Sequence, residues 1–300
     1  MKNAKNAHYW QVDNKIKNIS QIKGALIVPS AKAWKEISWT KKYFKTRPQY
    51  GYFIWVKEKI NSPLFTCISL ANKNTSQKLQ NLLIVEKNLV VKVFGSCNIT
   101  DKKCSGSHKA SGKIVLKPGA ILKYEHNHLW GEKNTVKTNY EFDLSEKSEL
   151  DYIYKNMSAP KELTMDTKVN VSKKAKANLR MSLNCLNSKV DLNDAIILKG
   201  QGSHGITRLR LVGRKNSRIK AQSQIVAQAA GQGHLDCQGL LVNDHSEIKL
   251  SPELIIKNKK ALLTHEASIG KISEQELNYL RTRGFSEKQA INLIINGFLN

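Results

Sequence analysis

The chain has little arginine and few acids. Among 300 residues, 49 are Lys or Arg and 24 are Asp or Glu, giving a formal net charge of +25. Only 8 of the basic residues are arginine, and the 41 lysines are accompanied by 26 asparagines. Nucleic-acid readers favour arginine for its bidentate fork and its stacking. Lysines scattered singly beside asparagine read instead as a solvated surface set by composition. A basic nucleic-acid-binding solenoid is therefore the weaker reading of the charge. Scarce carboxylates also weigh against a β-helical polysaccharide enzyme, which works with clustered acids in a groove.

Long apolar runs are missing too. No stretch approaches about 18 residues, which excludes a transmembrane helix. Residues 1–8 hold no apolar core, so no secretory signal is expected and the chain reads as cytoplasmic. The five cysteines, Cys67, Cys97, Cys104, Cys185 and Cys237, contain no Cys-x-x-Cys pair. That argues against a zinc ribbon or a self-contained ferredoxin site, and an odd count argues against a disulfide framework. No Walker A or dinucleotide fingerprint is present, so nucleotide binding by this chain is not expected.

What the chain does have is period-two alternation. Short Val, Ile and Leu runs such as Val90–Val93, Ile114–Leu116, Val169–Val171 and Ile196–Leu198 alternate with Lys or Ser and are separated by turns. The turn signals include Lys117-Pro-Gly119, Gly200-Gln-Gly202 and Gly231-Gln-Gly233. A repeat runs through them. Ser188-Lys-Val-Asp-Leu192, Ser217-Arg-Ile-Lys-Ala221 and Ser246-Glu-Ile-Lys-Leu250 share one pattern at 29-residue intervals. A fixed period of that size predicts a solenoid, one coil of two strands and two turns per repeat. A β-sandwich is the alternative.

The expected organisation is an N-terminal cap over residues 1–51, with a short helix near Lys32–Trp39, then a β-helical core over 52–264 and a helical segment over 265–300. In that last segment Ser273-Glu-Gln-Glu276 and Ser286-Glu-Lys-Gln289 are capping boxes. Gly284 suits a C-cap. Leu277 and Leu280, then Leu293, Ile294 and Phe298, form apolar stripes. The hairpin is expected either to close the solenoid end or to offer a docking surface.

Two groupings could carry chemistry. His126 and His128 are spaced to share one strand face and suit a metal, although one strand supplies only two ligands. Cys237 precedes His265-Glu266 by about one coil, which would stack the thiol near the imidazole as a soft-metal site or a Cys-His pair. Adjacent strand residues point to opposite faces, so His265 and Glu266 need a bulge to converge.

At the C-terminal end the residues resemble a known family. Leu263-Thr-His-Glu-Ala-Ser-Ile-Gly-Lys-Ile272, Glu276-Leu-Asn-Tyr-Leu-Arg-Thr-Arg-Gly-Phe285 and Asn296-Gly-Phe-Leu299 are similar to the C-terminus of the SufB/SufD family of iron–sulfur cluster assembly proteins. Gly233-His-Leu-Asp-Cys-Gln-Gly-Leu-Leu241 matches as well, and Cys97, His108 and His128-Leu-Trp130 match more loosely. The likeness spans roughly residues 50–300 and is strongest to short, archaeal-type members. It implies a right-handed parallel β-helix and a scaffold that receives sulfur and iron for a transient cluster. By position it implies that Cys237 is the cluster-building cysteine, that Glu266 and His265 complete or flank the metal site, and that Cys97 receives sulfur. A SufC-like ABC ATPase would dock on the C-terminal helices, with Leu277, Leu280, Leu293, Ile294 and Phe298 as the contact set. The chain would pair with itself or a SufB/SufD paralogue. Cys237 together with Glu266 resembles SufB; SufD resembles His-Gly-Ala-Thr at the same place.

Overall fold

The structure, a computed structural model, describes residues 7–101 and 103–300. Its strands are β1 (Ala7–Val12), β2 (Lys15–Ser20), β3 (Ala25–Pro29), β4 (Tyr52–Val56), β5 (Leu64–Leu70), β6 (Thr75–Val85), β7 (Val90–Ile99), β8 (Gly106–Leu116), β9 (Ile121–Leu129) and β10 (Asn134–Leu144). They continue as β11 (Glu149–Ser158), β12 (Glu162–Val171), β13 (Lys176–Leu186), β14 (Lys189–Leu198), β15 (Ser203–Arg214), β16 (Arg218–Ala227), β17 (Gly231–Leu241), β18 (Glu247–Ile256) and β19 (Leu262–Lys271). From β4 onward successive strands alternate between two parallel sheets. One sheet runs β19-β17-β15-β13-β11-β9-β7-β5 and ends on the β1-β2 hairpin; the other runs β18-β16-β14-β12-β10-β8-β6-β4 and ends on β3. The result is a parallel β-solenoid, two strands per coil.

Alternation explains why these segments coil. Along β14 the odd-even pattern buries Val190, Leu192, Asp194, Ile196 and Leu198 and exposes or half-exposes the residues between them. One face of each strand fills a continuous core that runs the length of the molecule. The 29-residue echo is the coil itself: Val190, Ile219 and Ile248 share one register row, as do Leu192, Ala221 and Leu250. The echoing serines sit buried in the turns before these strands. Ser217 Oγ donates to the Cys185 and Arg214 carbonyls, and Ser246 Oγ donates to those of Gly213 and Asn243.

The opposite edge is held by a second ladder. Asn88, Gly119, Lys147, Lys174 and Gly202 occupy equivalent turn positions with φ between 55° and 71°. Each donates its amide to a carbonyl on the next coil at 2.7–3.1 Å. Glycine and asparagine accept this left-handed geometry readily; the lysines adopt it at a local cost. Gly231-Gln-Gly233 is not a turn but the start of β17. A Cβ on Gly231 would lie 2.7 Å from Ser203 Oγ, so glycine there serves close packing between coils.

The expected N-terminal helix forms as α1 (Ser30–Glu36) followed by a 3-10 turn (Ser38–Tyr43). Trp34 and Phe44 from this segment pack on the outer face of β4 and β6. At the other end α2 (Glu274–Thr282) and α3 (Glu287–Leu299) carry both capping boxes, and Gly284 takes φ 91° between them. This hairpin does not close the solenoid end. It lies against the outside of the first sheet, where Ile295 and Leu299 are buried with Val212 and Leu240, and Ser182 Oγ donates to the Leu299 carbonyl. The outward positions on β15 and β17 are apolar here, so they draw the amphipathic helix to the flank. The last coil is consequently open: β19 has one strand neighbour, and Ile256, Leu262 and Ile269 are exposed.

Candidate functional site in the solenoid interior

Register places the sequence-predicted residues. Cys237 points inward on β17 and is buried. Its partner on β19 is Ala267; His265 lies opposite Leu235, and Glu266 opposite Asp236. The β17-to-β19 offset is 30 residues, two more than the spacing of Cys237 and His265, because the turns following Leu241 and Ile256 are each one residue longer than those following Gly213 and Ala227. His265 therefore falls on the interior-facing side of β19 but two residues along from Cys237. Glu266 falls on the outer side, its carboxylate 67% exposed and 3.4 Å from His234 Nε2. His234 is held in turn by Thr264 Oγ1 at 2.8 Å. Thiol, imidazole and carboxylate do not converge within one chain.

Next to Cys237, Asp236 turns outward into a bidentate pair with Arg210, at 2.9 and 2.6 Å. Burial pushes the Cys237 thiol up to about 11. Close to it on the interior side is Asp194, 3% exposed, accepting a 2.6 Å hydrogen bond from Ser223 Oγ. Among the described residues no cation pairs with it; burial raises its carboxyl to about 6, moderated by hydrogen bonds from Ser223 and Thr207. Among the described residues its Oδ2 makes no close hydrogen bond, nor does the buried Thr167 hydroxyl. Tyr140, Thr167, Asp194 and Ser223 form one register row along the second sheet.

That row leads to a second cluster nearer the N-terminal end. His126 and His128 both point inward on β9, as their spacing predicts, and Cys97 on β7 is the register partner of His128. Cys97 Sγ lies 3.5 Å from His126 Nε2, and the two Nε2 atoms are 3.0 Å apart. Tyr152 OH reaches His126 Nδ1 at 3.4 Å; Tyr154 OH and the Trp130 indole N–H reach His128 Nδ1 at 3.1 and 3.2 Å. Burial lowers His126 to about 3 and holds His128 well below the usual imidazole range, so both imidazoles are neutral at physiological pH. His108, lowered to about 4 by burial, bonds Gln77 through Nδ1 and leaves Nε2 without a partner. The interior row through His126, Tyr154, Met181, Leu209 and Cys237 spans four strand steps. At about 4.8 Å per step that is roughly 19 Å between the two thiol-bearing regions.

The helix residues divide by exposure. Leu277 is buried, Leu280 is half-buried, and Ile294 and Phe298 are partly covered against Val212 and Leu240. Leu293 is 48% exposed, alongside exposed Tyr279 and Phe285, which lie outside the apolar stripes of the sequence.

Residues 68–298 match the family model described as SUF system FeS cluster assembly, SufBD core domain. Curated relatives share that description. An iron-sulfur cluster assembly SufBD family protein of Methanothermobacter thermautotrophicus is 28% identical over 83% of this chain and 62% of its own length. One from Archaeoglobus fulgidus is 26% identical over 99% of this chain and 85% of its own. Iron-sulfur cluster assembly protein SufB of Bacillus subtilis is 24% identical over 83% of this chain and 55% of its own. The chain spans about three fifths of the length of the first of these relatives.

Proposed function

This chain belongs to the SufBD family of iron–sulfur cluster assembly proteins, and from that premise we propose that it is a SufB-type scaffold. It receives sulfur at Cys97 and iron from solution, builds a transient cluster at Cys237 and passes it to acceptor proteins. It is a non-catalytic component of the cytoplasm, and a SufC-like ABC ATPase docked on α2 and α3 supplies the hydrolysis.

The observation that carries this reading is the incompleteness of the Cys237 site. A storage site wants four converging thiolates. Here one inward thiol stands a single strand from an open edge, with His265 and Glu266 on that edge strand and turned to different sides. Such a donor set closes only when the open end is covered. An edge strand of ten residues with exposed Leu262 and Ile269 is built to pair. The partner is a second copy or a SufB/SufD paralogue, continuing both sheets across the junction. A cluster held between chains by few thiolates and mixed ligands is releasable.

The test is co-expression with a sulfur-mobilising system. Cys237→Ser and Glu266→Ala are expected to lose iron and acid-labile sulfide while circular dichroism stays that of the parent. Parental iron and sulfide in both variants would sink the assignment.

A further inference from the structure

Cys97, His126 and His128 are more than polar lining of the interior. Among the described residues they are the grouping of His, Cys and acidic side chains whose ligand atoms converge, all lying within 4.8 Å of one another and all buried. Tetrahedral coordination with metal–nitrogen bonds of about 2.05 Å and a metal–sulfur bond of about 2.3 Å puts ligand atoms about 3.3 Å (N to N) and about 3.6 Å (N to S) apart. The observed separations are 3.0 and 3.5 Å. The third pair, Cys97 and His128, has its ligand atoms within 4.8 Å and closes further as a metal enters.

We propose that Cys97 Sγ, His126 Nε2 and His128 Nε2 bind one divalent transition-metal ion of the iron–zinc range, with a fourth position open to an exogenous anion. The donor set, one thiolate and two imidazoles, selects these metals over magnesium or calcium. Each imidazole has a hydroxyl behind it: Tyr152 OH for His126 Nδ1 and Tyr154 OH for His128 Nδ1. Ligating histidines use such outer partners to fix their tautomer. Charge sets the fourth ligand. One thiolate leaves a divalent ion with a net +1 in a buried site, and a monoanion such as hydrosulfide or hydroxide neutralises it.

A cavity of about 490 Å³ opens on the coil edge next to Trp130, with the carboxylates of Asp101 and Glu132 in its wall. Trp130 itself acts as the counterweight. Its indole N–H can only donate, so without metal His128 accepts at Nδ1 and carries its proton on Nε2, donating to His126. Metal binding moves that proton to Nδ1, where Tyr154 accepts it, and expels the Cys97 thiol proton to solvent. Trp130 loses its acceptor, which biases the site toward release.

Cobalt(II) added anaerobically to the chelator-stripped full chain is the test. One equivalent is expected to bind with thiolate-to-cobalt charge-transfer absorption and tetrahedral visible bands. Cys97→Ala loses the charge-transfer band; Cys237→Ser keeps it, so this outcome is separable from the cluster-site reading. Tyr154→Phe weakens binding by about 10–100-fold, read on protein whose circular dichroism is that of the parent, because the lost hydroxyl also leaves the Asn156 amide without its acceptor. Trp130→Phe tightens it by about 2- to 12-fold, the worth of one neutral hydrogen bond. No stoichiometric binding by the parent, or a spectrum that survives Cys97→Ala or vanishes in Cys237→Ser, overturns the site. Weaker binding in Trp130→Phe overturns the tautomer exchange.

Discussion

Replacing Asp194 with asparagine is expected to stabilise the protein at neutral pH. The carboxyl is 3% exposed, has no cation partner and titrates near 6 instead of 3.8. A raised carboxyl favours the folded state only while protonated. Its contribution is therefore full below the unfolded value of 3.8 and is lost as pH rises through about 6. The difference of about 2 units corresponds to about 3 kcal/mol of destabilisation above pH 7. Asparagine keeps the acceptor for Ser223 Oγ, carries no charge, and can donate to the Thr207 hydroxyl beside it. With an unfolding entropy near 2.1 cal/mol/K per residue, 3 kcal/mol is a rise of roughly 5 °C in Tm for a chain of this size. Scanning calorimetry of both proteins at pH 7.5 and pH 5 decides it. At pH 5 integration of the same titration leaves about half the gain. A variant less stable than the parent at pH 7.5, or a gain that does not shrink at pH 5, refutes the buried-charge reasoning.

Two further outcomes follow from the two exposed surfaces. Leu293→Asp, on the open face of α3, is expected to abolish copurification with the ABC ATPase while leaving Tm within about 1 °C, since surface changes cost at most about 0.5 kcal/mol. Ala267→Asp, on exposed β19 in the register row of Cys237, is expected to turn a dimer into a monomer by light scattering coupled to size exclusion.

Much of the fold was legible because coils of 27 to 31 residues vary little enough to keep neighbouring repeats in phase with the sequence. Ser188, Ser217 and Ser246 echo because each fills the same buried turn socket. The site was less legible for the same reason inverted. The spacing of Cys237 to His265 looks like one coil, but two longer turns shift β19 and set Cys237 against Ala267. The interior cluster could have been approached from the period already in hand: Cys97 and His126 are 29 residues apart, and the local coil of 31 sets Cys97 opposite His128, beside the same His-x-His pair. Asp194 gave no such signal. In Leu192-Asn-Asp-Ala195 it resembles a surface residue, and only the strand phase, fixed by Leu192 and Ile196, turns it inward. The helical hairpin was read correctly from its capping boxes, but helix periodicity does not say which surface receives it. The apolar outward positions Val212 and Leu240 decide that.

The central claim is that the chain holds a cluster in order to give it away. The direct measurement is anaerobic transfer: cluster-loaded protein is mixed with an apo-ferredoxin-type acceptor and the visible circular dichroism is followed as each is re-isolated. The account predicts that iron and sulfide leave the chain and appear on the acceptor in matching amounts. A cluster that stays on the chain while the acceptor remains empty would contradict it.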